Sequence, residues 1–196
     1  MPTEQATYGP VTNQVLRLFA KSGDSQYGGE AVSQVEHALQ AAYLAEKSGA
    51  SASLIAAALL HDVGHLMHGL NDDAPAQGID DQHEELAARW LSERFGPSVV
   101  EPVRLHVAAK RYLCAVEIDY LESLSPPSRL SLQLQGGPMS NSEIVEFRLN
   151  LHYEPALRLR RWDDHAKTPG LPTPTVEHFA SYVELASRNR NMESDR

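Results

Sequence analysis

The chain has 196 residues, 42% of them hydrophobic, and a formal net charge of -9. That length is enough for one domain with a substantial core, and the acidic balance excludes the broad basic footprint of a non-specific nucleic-acid binder. The only cysteine, Cys114, excludes an intramolecular disulfide and a thiolate metal cluster, and no stretch reaches the about 18 apolar residues of a membrane-spanning helix.

The first ten residues, "MPTEQATYGP", are polar and lack an apolar signal region, so the expected location is the cytoplasm. Val32, Val35, Leu39 and Ala42 recur at steps of three and four, which predicts a helix from Glu30 to Ser48 with Gly49 as its stop. Ser51 or Ser53 caps the next helix, "LIAAALLHDVGH". It is apolar on almost every side and is expected at the centre of the fold. A loop follows over 69–82, rich in Gly, Pro and Asp. It is read as solvated linker, with a flap over a site as the other reading.

Asp81 and Glu84 match a capping box for a helix carrying Leu86, Ala87, Trp90, Leu91 and Phe95, ended by Gly96 and Pro97. A helix through Val99 to Arg111 comes next, with Pro102 in its first turns. "SPPSRLSLQLQGG" reads as a short helix with prolines at its start and glycines at its end. Ser140 and Glu143 form another capping box. Pro155 restarts a helix through Leu157 and Trp162, and the last amphipathic helix carries Val176, Phe179 and Val183. No strand is convincing. The expected fold is all-α, a single domain over 1–196 of mostly orthogonal helices, since no heptad persists.

The chemistry lies in the histidines and aspartates. His61 and His65 are four apart and are expected on one helix face. Asp62 lies beside His61, and a charged Asp at the end of a buried helix is costly unless paired or metal-bound. His37 lies near the apolar stripe of its helix. His83 opens a helix, His106 sits in the apolar run "RLHVAAK", and Asp163 follows Trp162. Four imidazoles and two carboxylates suit a pair of cations such as iron or manganese better than a structural tetrahedral zinc. His68, His152, His165 and His178 are read as surface residues.

The order His37, His61-Asp62, Asp163 resembles the H…HD…D signature of the HD-domain superfamily. "YGGE", "QVEH", "LLHDVGH", "HVAAKRYL", "QGGPM" and "RRWDD" resemble, more closely, the PhnZ-type phosphonate-cleaving diiron oxygenases, relatives of myo-inositol oxygenase. The resemblance implies an HD-type helical fold around a dinuclear metal site. It implies six ligands, His37, His61, Asp62, His83, His106 and Asp163, with Asp62 bridging an Fe(II)/Fe(III) pair that binds dioxygen. The implied reaction is oxidative cleavage of the carbon–phosphorus bond of a 1-hydroxy-2-(trimethylammonio or amino)ethylphosphonate, giving phosphate and glycine betaine or glycine. All four electrons come from the substrate, so no organic cofactor is expected. The expected partners are this small molecule and dioxygen, with no nucleic acid and no membrane, in a monomer or homodimer.

On that resemblance Lys110, one turn beyond His106, is expected to pair with the phosphonate. His65 is either a second phosphonate donor or a hydrogen-bond partner of the site. Ser128 and Arg160 match positions near the phosphonate, and Gln135 is read as a loop anchor. Tyr27 and Glu30 offer a ring face and a carboxylate to an ammonium group, or a lid; the plainer reading of Glu30 is a first-turn carboxylate favoured by the helix dipole. Gly28 and Gly29 between them leave room for a trimethylated head group. The competing readings are an HD-type metal-dependent phosphohydrolase acting on nucleotides or phosphate esters, and a non-catalytic HD-fold binding module.

Overall fold

The computed structural model describes residues 8–22, 25–67 and 82–193. Among them there are ten α-helices: α1 Pro10–Ser22, α2 Gln34–Lys47, α3 Ala52–Leu60, α4 His83–Ser92, α5 Pro97–Val116, α6 Tyr120–Ser123, α7 Pro126–Leu134, α8 Asn141–Leu149, α9 Tyr153–His165 and α10 Val176–Glu193. A 3-10 turn, Val63–Leu66, follows α3. There is no strand among the described residues, only an isolated bridge between Gln26 and Ser33. The all-α expectation holds, and none of these helices is long and apolar enough to cross a membrane.

Helix α3 is the centre. Ser51 caps it by accepting from the Leu54 N–H. Every residue from Ser53 to Leu60 is buried, because α2, α5, α9 and α10 all pack on it. A helix apolar on all sides has no solvent face to lose by this. Its side chains belong to one apolar cluster with Phe95, Val103, Leu159 and Phe179. A second cluster, with Tyr112, Leu113, Leu132, Phe147 and Ala156, lies beyond it. Helices α5 and α9 pack on each other and contribute to both clusters. The polar residues His106, Lys110, Arg160 and Asp163 are buried on these two helices, where they pass from one cluster to the other.

Three expectations about the elements need correction. Helix α2 begins at Gln34, not Glu30, because Ser33 and Glu36 form a capping box there. Residues 25–34 instead make a closed turn, with Tyr27 N–H donating to Val32 O and Gln34 N–H to Ser25 O. Gly28 and Gly29 sit in it at φ of 44° and 80°, a conformation that costs a residue with a Cβ. The helix expected to continue through His65 stops at Leu60, so His61 and His65 do not share one α-helical face. Helix α4 starts after Gln82, at φ 48°, with no side-chain cap hydrogen bond. Asp81, the expected partner of Glu84 in a capping box, lies outside the described residues, as do His68 and the rest of the expected loop up to residue 81. Helices α1 and α6 were not foreseen. The two caps expected at Ser51 and Ser140 are present.

The 3-10 turn after α3 has a steric cause. A Cβ on Gly64 would lie 2.1 Å from the carbonyl oxygen of His83. The obstacle is backbone, so the turn approaches the start of α4 as closely as only glycine permits. This contact sets His83 beside Asp62. Gly64→Ala is expected to force the two segments apart and cost about 2 kcal/mol, lowering Tm by about 4–8 °C. An unchanged melting curve would contradict the contact.

Candidate metal centre and anion pocket

Five elements bring six polar side chains to one buried point: His37 from α2, His61 and Asp62 from the end of α3, His83 from α4, His106 from α5 and Asp163 from α9. All six are buried. His37, His61 and Asp62 form one group whose ligand atoms lie within 4.8 Å of one another. Asp62, His83 and His106 form a second. Asp62 belongs to both, with Oδ2 facing His37 and His61 at 3.6 and 3.4 Å and Oδ1 facing His83 and His106 at 3.5 Å each. Asp163 Oδ1 completes the first group, 3.4 Å from His37 Nε2 and 3.8 Å from His61 Nε2.

The hydrogen bonds decide what the imidazoles do. His37 Nδ1 donates to Ala166 O at 2.8 Å, His61 Nδ1 to Ala58 O at 2.9 Å and His106 Nδ1 to Val103 O at 2.6 Å. A carbonyl only accepts, so Nδ1 carries the proton in each ring and, in the neutral imidazole, Nε2 presents a lone pair. Yet His37 Nε2 and His61 Nε2 are 3.0 Å apart, and His83 Nε2 and His106 Nε2 are 3.1 Å apart. In the first pair both nitrogens present lone pairs, which do not bond to each other. Two nitrogens bound at about 2.1 Å to one cation and at right angles lie about 3.0 Å apart, which is the spacing found. Neither Asp62 oxygen has a hydrogen-bond partner, although a buried carboxylate without one is costly. The six residues therefore fit two cations that share the Asp62 carboxylate.

The charges agree with this fit. Burial works against ionised Asp62, but the facing imidazoles of His61, His65 and His83 outweigh it and hold its carboxyl well below the usual range. Burial also opposes Asp163, and the Arg160 guanidinium and the imidazoles of His37 and His61 again prevail. Burial, with His83 nearby, pushes His106 down to about 3, so it is neutral and free to ligate. His61 shifts upward: burial lowers it, while Asp62 and Asp163 more than compensate. At that nitrogen a proton and a metal ion compete for the same negative field.

A cluster of lysine and serine side chains lies near the centre. Lys110, buried on α5 one turn beyond His106, donates to Ser131 Oγ at 2.8 Å. Burial first, then the Arg160 charge, push it down to about 7. Lys167 donates to Ser128 Oγ at 2.8 Å and lies 3.1 Å from Glu30 Oε1. Ser128 and Ser131 are both on the short helix α7. Tyr27 lies flat on His37, with ring centres 3.8 Å apart, and its hydroxyl reaches Asp163 Oδ1 at 3.4 Å. Burial, Asp163 and Asp62 raise the Tyr27 phenol well above its usual range, so it remains protonated. His65 stacks on His83 at 4.1 Å.

Arg160 has a different setting from the one expected of a phosphonate contact. Its Nη1 holds Asp163 Oδ2 at 2.7 Å, its Nη2 binds Asp164, and its Nε faces Tyr120 and Asp164 at 3.2 Å each. It faces the centre through Asp163, whose other oxygen it leaves toward the imidazoles. Lys167, Ser131, Asp164 and Tyr120 were not singled out in the sequence. The expected surface histidines stand apart: His165 and His178 are exposed, and His152 precedes α9. Gln135 is the C-cap of α7.

The HD-domain family matches residues 35–142, a span that holds every proposed ligand but Asp163. The chain is 45% identical to the hydroxymethylphosphonate dioxygenase of Gimesia maris, over 91% of this chain and 89% of the relative. It is 41% identical to the [1-hydroxy-2-(trimethylamino)ethyl]phosphonate dioxygenase (glycine-betaine-forming) of Leisingera caerulea, over 90% of each chain. An uncharacterized protein of Acanthamoeba polyphaga mimivirus is 34% identical over 91% of this chain and 83% of its own length.

Metal binding to the folded chain alone should raise its stability. Titrating Fe(II) or Mn(II) anaerobically into metal-stripped protein is expected to raise Tm until two ions per chain are bound. Because His61 holds its proton more firmly than a free imidazole, binding should be weaker at pH 6 than at pH 8. Saturation at one ion, or affinity independent of pH, would contradict the shared-carboxylate arrangement.

Proposed function

The chain belongs to the HD-domain family, in its PhnZ-type branch, and we propose that it is a diiron dioxygenase that cleaves the carbon–phosphorus bond of a 1-hydroxyphosphonate. The reaction consumes the substrate and one O2 and gives phosphate and a carboxylate, with four electrons passing from substrate to oxygen. The observation that carries the reading is the pair of candidate ligand groups that share Asp62, with the Lys110–Ser131 and Lys167–Ser128 pairs near them. The residues are read as one domain built around this centre.

Iron, held by His37, His61, Asp62 and Asp163 on one side and by Asp62, His83 and His106 on the other, supplies Lewis acidity toward the substrate oxygens and redox capacity toward oxygen. The protein does the rest. Lys110 and Lys167 draw the phosphonate to the mouth of α7, and Ser128 and Ser131 present hydroxyls there. His65, packed on His83, stands at the edge of the second ligand group as a further donor. Arg160 takes one oxygen of Asp163 and thereby orients the other. The Tyr27 ring, lying on His37, shields the first ligand group from water and donates its hydroxyl toward Asp163.

The reading is tested by assaying phosphate release from 1-hydroxyphosphonates with iron-loaded protein, with and without oxygen. Phosphate is expected only with oxygen. Release from phosphate esters without oxygen, in colourless manganese-loaded protein, would instead establish a hydrolase; the activities named for the relatives do not favour that. Two variants refine the assignment. Asp62→Ala is expected to bring iron well below two per chain, and retention of both ions would remove the bridge. Lys110→Ala is expected to keep the iron and raise KM by about tenfold or more, and an unchanged KM would move the anchor elsewhere.

A further inference from the structure

Lys167 is not a metal ligand, and no motif marks it. Its backbone is nevertheless fixed on both sides. Ala166 O accepts from His37 Nδ1 at 2.8 Å. Thr168 is bracketed by Gln40, whose Nε2 donates to Thr168 O at 2.8 Å and whose Oε1 accepts from Thr168 N–H at 3.0 Å. Gln40 is buried on α2, one turn beyond His37. The same helix that supplies a ligand thus anchors both neighbours of Lys167.

The side chain is equally committed. Lys167 and Glu30 are 13% and 14% exposed and lie 3.1 Å apart. Ser125 Oγ donates to the same Glu30 oxygen at 2.5 Å. Lys167 also holds Ser128 Oγ, and its Nζ stands 5.8 Å from the centre of the Tyr27 ring. The two features that would attract a substrate ammonium group, the carboxylate and the aromatic face, therefore already have a cation of the protein beside them.

We propose that Lys167 sets the head-group selectivity of the site: paired with Glu30 and Ser128, it selects 1-hydroxyphosphonates with no cationic substituent on the adjoining carbon, hydroxymethylphosphonate being the smallest. This rests on the function proposed above. An ammonium group that approached Glu30 would sit against Lys167 at contact distance, and like charges there oppose binding. The pinned backbone limits how far Lys167 can withdraw. Its contact with Ser128 keeps it at the phosphonate end, where a dianion benefits from a second positive charge.

The test is anaerobic calorimetry on iron-loaded protein, comparing hydroxymethylphosphonate with 1-hydroxy-2-(trimethylammonio)ethylphosphonate. The unaltered protein is expected to bind the former about tenfold or more tightly. Lys167→Met should collapse or invert that ratio, and Lys167→Arg should keep it. Glu30→Gln, which retains the lysine, should leave the preference in place or enlarge it. Equal or tighter binding of the trimethylammonio compound by the unaltered protein overturns the proposal, as does an unchanged ratio in Lys167→Met. Binding is read without oxygen and so is separate from turnover. The expected selectivity with no phosphate released on admitting air would support this inference and overturn the proposed reaction. Binding of neither compound would overturn both.

Discussion

The Asp62 carboxylate, buried among four imidazoles with no hydrogen bond to either oxygen, is the constraint on which the rest of the structure depends. Leaving an ionised carboxylate unpaired in a protein interior costs several kcal/mol, roughly. Evolution could have relieved that cost with a hydroxyl or a backbone N–H. Instead it turned three facing rings so that their protonated nitrogens point away, to the carbonyls of Ala166, Ala58 and Val103. The lone pairs of these three rings thus converge on the negative charge of Asp62. Such a cluster is electrostatically incomplete by construction, and a multivalent cation is what completes it.

The surrounding fold can be understood as the support for that convergence. Helix α3 is apolar throughout because it must end inside the protein to deliver His61 and Asp62 there. The two apolar clusters leave a seam that α5 and α9 both cross, and local helix geometry does the rest. On α5, a four-residue step carries the ligand His106 to the anion partner Lys110. On α9, a three-residue step carries Arg160 to the ligand Asp163. Each pair places a positive charge one turn from a ligand, so the anion pocket and the metal ligands cannot move independently.

The six candidate ligands were named from the resemblance, with a charged Asp at the end of a buried helix as the residue-level sign beside it, and that naming did not depend on the secondary structure expected around them. His61 and Asp62 were identified although the helix was expected to run on through His65. Beyond the end of α3, Gly64 packs against the His83 backbone, a tertiary contact that leaves only a glycine as its trace. Similarly, a short spacing from His106 revealed Lys110, whereas nothing local distinguished Lys167. Its position depends on Gln40, 128 residues away from the Thr168 peptide it grips. Arg160 was singled out from the resemblance; its partner Asp164 lies four residues on along the same helix α9, whereas Tyr120 joins them only when α6 is placed beside α9.

That difference in legibility follows the division of labour in the site. The proposed metal ligands are spread over α2, the end of α3, α4, α5 and α9, and are buried with the core. Glu30 and Lys167 sit instead on a glycine-bearing turn and on the short segment after α9, outside the ligand set. Both segments lean on His37, the first through Tyr27 stacked on its ring and the second through Ala166 O, which accepts from its Nδ1; Tyr27 also reaches Asp163 through its hydroxyl. Residues on these two segments can change charge or size without altering the convergence on Asp62. On the proposed function, one set of candidate ligands would serve hydroxyphosphonates with different head groups, with the chemistry fixed by buried helices and selection left to two segments that lean on His37.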